Sequence, residues 1–67
     1  MEKKTMIETT TKHRNYQIHI IENDSLNLKE LYVNEELGDN HYYETFKLNV
    51  SNEEIIKQAK RIIENSK

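Results

Sequence analysis

The stretch from Ser51 to Ile63 constrains the fold more than any other part of the chain. Ser51-Asn52-Glu53-Glu54 has the form of a capping box, in which Ser51 accepts from the amide of Glu54 and Glu54 reaches back to Ser51. Val50 before the cap and Ile55 after it are placed as a hydrophobic staple. Ile55, Ile56, Ala59, Ile62 and Ile63 then fall on one stripe of a helix. Glu53 and Glu54 sit in its first turn, with Lys60 and Arg61 nearer its end, as the helix dipole favours. The pattern predicts a helix over about 52–65. A helix with so apolar a stripe needs a surface to cover, and the rest of the chain must supply it.

The preceding segments alternate with a period of two, which is the signature of strands with one buried face. In residues 15–22, Tyr16, Ile18 and Ile20 share one face, opposite Gln17, His19 and Ile21. Asn23-Asp24-Ser25 is a turn cluster. In residues 28–36, Leu31 and Val33 share a face, while Leu28 is out of phase, so the strand starts after it or contains a bulge. A helical turn over Leu26–Leu31 competes with this reading, and strand is preferred. Leu37-Gly38-Asp39-Asn40 holds the single glycine, suited to a hairpin turn by its tolerance of positive φ. In residues 41–50, Tyr42, Phe46, Leu48 and Val50 face inward with Glu44 at the rim, and His41, Tyr43, Thr45 and Lys47 face outward.

The predicted fold class is α+β: a small three-stranded antiparallel meander, β-β-β-α, with the C-terminal amphipathic helix packed on one sheet face. The expected interior is Tyr16, Ile18, Ile20, Leu31, Val33, Phe46, Leu48, Val50 and the helix isoleucines. Residues 13–67 form the single domain. Residues 1–12 read as a flexible N-terminal segment that can hold a short strand over Met6–Thr10, since its threonines favour extended backbone.

Composition narrows the function. Sixty-seven residues allow one domain with a small core. The chain has no cysteine, which excludes disulfides and thiolate metal sites. No long apolar run marks a membrane span or signal-peptide core, so the expected location is the cytoplasm and no membrane partner is expected. Heavy use of Ile, Lys and Asn accords with an AT-rich genome, and so with a low-GC bacterium, its phage or a mobile element. The net charge is −2. The middle of the chain is acidic: Glu22, Asp24, Glu30, Glu35, Glu36, Asp39 and Glu44 stand against Lys29 alone, between two basic ends.

The strand phases that bury Phe46 turn Tyr43 and His41 outward, and likewise His19 and Tyr32. Such a face is either a solvated sheet surface of good strand formers or a contact surface, because Tyr combines apolar area with a polar tip. His13, His19 and His41 lack the spacing of a zinc site, and no metal or cofactor is expected. No nucleophile motif or phosphate loop is present, so the chain is read as non-enzymatic. Aromatic sheet faces stack on single-stranded bases. The acidic middle opposes phosphate binding. The lead expectation is therefore a binding module acting on a protein partner, an inhibitor or regulator of a host nucleic-acid-handling protein. Tyr32, Tyr43, Glu35, Glu36, Asp39, His41 and His19 are its expected contact residues. A dimeric nucleic-acid-binding regulator using the basic ends, and a self-assembling structural component, are the rival expectations.

Overall fold

The computed structural model describes residues 6–65, and for Met6 the backbone alone. Residues 1–5, to which the expectation of a flexible terminus extends, lie outside the described residues, as do 66–67. The architecture is α+β. Strands β1 (Met6–His13), β2 (Tyr16–Asn23), β3 (Leu28–Glu35) and β4 (His41–Lys47) precede helix α1 (Asn52–Asn65). The strands form one antiparallel meander in the order β1-β2-β3-β4.

The sheet therefore has four strands rather than three. The segment around Met6–Thr10 is a strand that runs on to His13 and pairs with the whole of β2, from Met6 opposite Asn23 to His13 opposite Tyr16. The turn that joins them, Arg14-Asn15, contains no glycine, and Arg14 takes φ 59°. That is the left-handed region a two-residue hairpin turn needs at its first central position.

The core lies between the sheet and the helix. Ile18 and Ile20 of β2, with Leu31 and Val33 of β3, are buried against Ile55, Ala59 and Ile63 of α1. Tyr16, Tyr42, Phe46, Val50 and Ile56 pack around them, half-buried. The expected Leu48 is not part of this cluster. β4 ends at Lys47, opposite Leu28, where β3 begins, so residues beyond Lys47 have no neighbouring strand to pair with. The chain turns there instead, the Val50 amide donating to the Lys47 carbonyl at 3.1 Å. Helix α1 starts as its cap predicts: the Ser51 hydroxyl accepts from the Glu54 amide at 3.2 Å.

Leu28 is out of phase with Leu31 and Val33, yet β3 begins with it and contains no bulge, so Leu28 falls on the open face. Leu28 pairs with Asn23 on one side and Lys47 on the other. The helix-facing slot next to it belongs to Lys29, which is 7% exposed. Its Nζ donates to the Val50 carbonyl at 2.6 Å and to Asn52 Oδ1 at 3.0 Å. Asn52 in turn donates to the Thr9 hydroxyl at 3.4 Å. A buried ammonium thus ties β1, β3 and the helix start together, with its charge met by oxygen. Gly38 does not take the positive φ expected of it; a Cβ there would meet the end of the Glu35 side chain, which would have to move aside.

Candidate functional site

The helix covers one face of the sheet, and the described residues leave the other face open. Strand alternation and register decide what stands on it. Thr10 pairs with His19, His19 with Tyr32, and Tyr32 with Tyr43, which makes a continuous row across all four strands. Next to it run Lys12, Gln17, Asn34 and His41 on one side, and Glu8, Ile21, Glu30 and Thr45 on the other.

The tyrosine pair is the centre of this surface. The rings of Tyr32 and Tyr43 are 4.9 Å apart at 53°, the tilted geometry that aromatic pairs favour. Tyr43 is 51% exposed and Tyr32 is half-buried. The Tyr43 hydroxyl donates to Glu30 Oε2 at 2.9 Å. That carboxylate holds the phenol pKa above its ordinary value, first through the hydrogen bond and then through desolvation and its negative charge. His19 Nδ1 lies 3.4 Å from the Thr10 hydroxyl and 3.3 Å from Glu8 Oε2. His41 Nδ1 hydrogen-bonds Asn34 Oδ1 at 2.9 Å.

Of the residues singled out in the sequence, the fold brings Tyr32, Tyr43 and His19 into one row and puts His41 in the adjoining one. It does not bring the three acidic residues to the same place. By the alternation of β3, Glu35 falls on the helix side with Val33, and its carboxylate accepts from Asn15 at 3.3 Å and Asn40 at 2.8 Å. It braces the β1–β2 turn against the β3–β4 loop. Glu36 forms an ion pair with Lys12 at 2.9 Å at the end of the sheet, and Asp39 is exposed in the β3–β4 loop.

The acidic middle of the sequence does not form one acidic array. Glu22 and Asp24 stand at the end of the sheet where α1 begins, and Glu35, Glu36 and Asp39 at the other end. Glu30 is on the open face. Glu44 is on the helix side, where it accepts a hydrogen bond from the Tyr42 hydroxyl. Glu30, one of the acidic middle residues, belongs to the open surface by the parity of β3, and so do Glu8 and Thr10, which only the pairing of β1 with β2 reveals.

The helix side carries a shallow cleft of about 210 Å³, where Ile62 and Ile63 approach Tyr16, Val33, Tyr42, Asn40 and His41. Among the described residues no three His, Asp or Glu side chains converge to hold a metal ion. Among them, too, no helix is long and apolar enough to cross a membrane. No protein-family model, curated protein or solved structure matches this chain.

Proposed function

We propose that the chain is a small non-enzymatic binding module that acts stoichiometrically on a protein partner, as an inhibitor or regulator. Its contact surface is the open face of the sheet, centred on Tyr32 and Tyr43 with His19 and His41 beside them. The observation that carries this reading is the tyrosine pair. Two large amphipathic rings pack against each other on a four-stranded sheet, one of them half exposed. Little side-chain freedom remains to be lost when a partner covers them.

The charges around the pair favour protein over nucleic acid. Glu30 holds the Tyr43 hydroxyl and Glu8 sits against His19. Carboxylates beside the rings would repel the phosphates of a strand whose bases stacked on them. The same carboxylates suit a partner that offers basic side chains around an apolar patch, as a nucleic-acid-handling protein does. The AT-rich residue usage makes a host protein of a phage or mobile element the natural partner class.

The test is affinity capture from a low-GC bacterial lysate, with and without nuclease treatment, across a salt series, with wild type, Tyr43→Ala and Tyr32→Ala as bait. The expected result is one protein in stoichiometric amount on wild type, lost from both variants while their circular dichroism stays that of wild type. Equal recovery on wild type and variants, or recovery abolished by nuclease, would overturn the proposal.

A further inference from the structure

We propose that two copies of this chain pair through their β1 strands, antiparallel, to form a continuous eight-stranded sheet. The observation behind it is the free edge of β1. Among the described residues it pairs with β2 alone, and its register is unbroken over eight residues with no proline, glycine or bulge. Proline and bulges are two of the devices by which an exposed edge is kept from pairing; a third, charged side chains, is present in Glu8 and Lys12, which are self-complementary in this pairing.

The backbone groups available at this edge follow from the hairpin. Two loop residues, Arg14 and Asn15, separate the partners His13 and Tyr16. The pair that closes a loop of this length exchanges both backbone hydrogen bonds, and such pairs alternate along an antiparallel ladder. The odd positions of β1 therefore bond to β2. The N–H and C=O of Glu8, Thr10 and Lys12 turn to the free side.

The same three residues are self-complementary. With Thr10 opposite Thr10 of the second copy, Glu8 stands opposite Lys12 of the second copy and Lys12 opposite its Glu8. Thr9 then meets Thr11, and Ile7 meets His13. Every pair formed by the outward-turned positions is a hydrogen-bonded one, and both charged pairs are of opposite sign. Ile7, 52% exposed in the single chain, gains a neighbour. Glu8 and Lys12 do have partners within the chain, His19 and Glu36, yet their side chains are 55% and 59% exposed. Such exposed pairs hold weakly and give way or are shared.

The other edge shows the contrast. Full antiparallel overlap of β4 with itself centres on Glu44 and sets two carboxylates of the same sign face to face. Pairing through β1 keeps both helices on one side of the sheet. It also carries the row Thr10–His19–Tyr32–Tyr43 through into its symmetric copy, so the open face doubles in extent.

The experiment is sedimentation and light scattering of the full chain over a concentration series, with Glu8→Lys, Lys12→Glu, the double swap, and an equimolar mixture of the two single variants. Wild type and the double swap should show a mass of two chains at micromolar concentration. Each single variant sets like charges opposite one another twice, and should weaken pairing by about tenfold or more. The mixture restores opposite charges in both pairs and should recover the two-chain mass. A separate variant, Thr10→Cys, should form an intermolecular disulfide on mild oxidation, since hydrogen-bonded partners sit about 5.5 Å apart at Cα. A single-chain mass for wild type, an open-ended series of larger masses, single variants as dimeric as wild type, or no disulfide at position 10 would each overturn the proposal.

Discussion

The guanidinium of Arg14 forks onto the carboxylate of Glu64, Nε to Oε2 at 2.7 Å and Nη2 to Oε1 at 3.0 Å. His13 Nε2 joins them at 2.8 Å. Each partner is locally unfavourable where it stands. Arg14 holds φ 59°, which a side chain with a Cβ resists. Glu64 is a carboxylate in the last turn of α1, at the negative end of the helix dipole, and that turn has no basic residue of its own. Together they offset one another: the hairpin turn brings the positive charge that the helix end lacks, and the helix end anchors the turn.

Glu64→Gln should therefore lower stability at neutral pH and much less in acid. Arg14 first, then His13, holds the Glu64 carboxyl below its ordinary pKa of 4.5. A depressed pKa means that the stabilisation is present above that ordinary value and is lost as pH falls through the folded-state one. Urea unfolding midpoints of wild type and Glu64→Gln should be separated at neutral pH and converge in acid. A separation that does not change with pH would leave the pair without an electrostatic role.

Lys29 should be costly to remove although it is a lysine. Lys29→Ala strips the Val50 carbonyl and Asn52 of a charged donor and empties the stem that fills the helix-facing slot. A loss of about 2–3 kcal/mol is expected from the hydrogen bonds to a charged group. Lys29→Met retains the apolar stem and should lose less than Lys29→Ala. Denaturant unfolding of the two variants separates the packing part from the polar part, and equal losses would assign the whole effect to the ammonium.

Glu30 should control how Tyr43 titrates. Its carboxylate stabilises the neutral phenol, so the folded pKa lies above the ordinary 10.0. Stability from this pair is complete below that ordinary value and is lost as pH rises through the folded-state one. Glu30→Gln removes the charge, and the alkaline phenolate absorbance assigned to Tyr43 should then rise at lower pH than in wild type. An unmoved titration would mean that the hydroxyl is not held by Glu30 in solution.

The elements legible in the sequence are those whose signals are local. The cap at Ser51 and the isoleucine stripe give α1 over Asn52–Asn65, and the alternation of residues 16–22 and 41–47 gives β2 and β4 with the correct faces. The alternation of β2, β3 and β4 also puts Tyr32, Tyr43 and His19 on one face. Three features resisted because tertiary contacts decide them. β1 has Ile7 as its one aliphatic residue among threonines and charges, and its pairing rests on β2. The Arg14 turn carries no glycine and relies on Glu64, 50 residues away. Lys29 occupies a core slot only because the chain entering the helix offers it two oxygens, which is why the apolar alternation of β3 does not extend to its first residues and Leu28 sits on the opposite face. The acidic residues are close in sequence, whereas the strands between them carry them to opposite ends and faces of the sheet.

Tyr42 and Tyr43 are adjacent in sequence and should respond in opposite ways to truncation. Tyr42 is on the helix side of β4, opposite Val33, half-buried against the core, with its hydroxyl donating to Glu44. Tyr42→Ala removes a half-buried ring and leaves Glu44 without that donor, and should cost about 2 kcal/mol, below the range for a fully buried aromatic. Tyr43→Ala removes a ring from the open face, where water can replace its hydrogen bond to Glu30 and Tyr32 is the one ring it contacts. Its unfolding midpoint should stay close to that of wild type and its cooperativity should be unchanged. Thermal and denaturant unfolding of the two variants in parallel decide the matter. A collapse of Tyr43→Ala, or an indifferent Tyr42→Ala, would mean that β4 presents the opposite face, and the open row of tyrosines would then belong to the core.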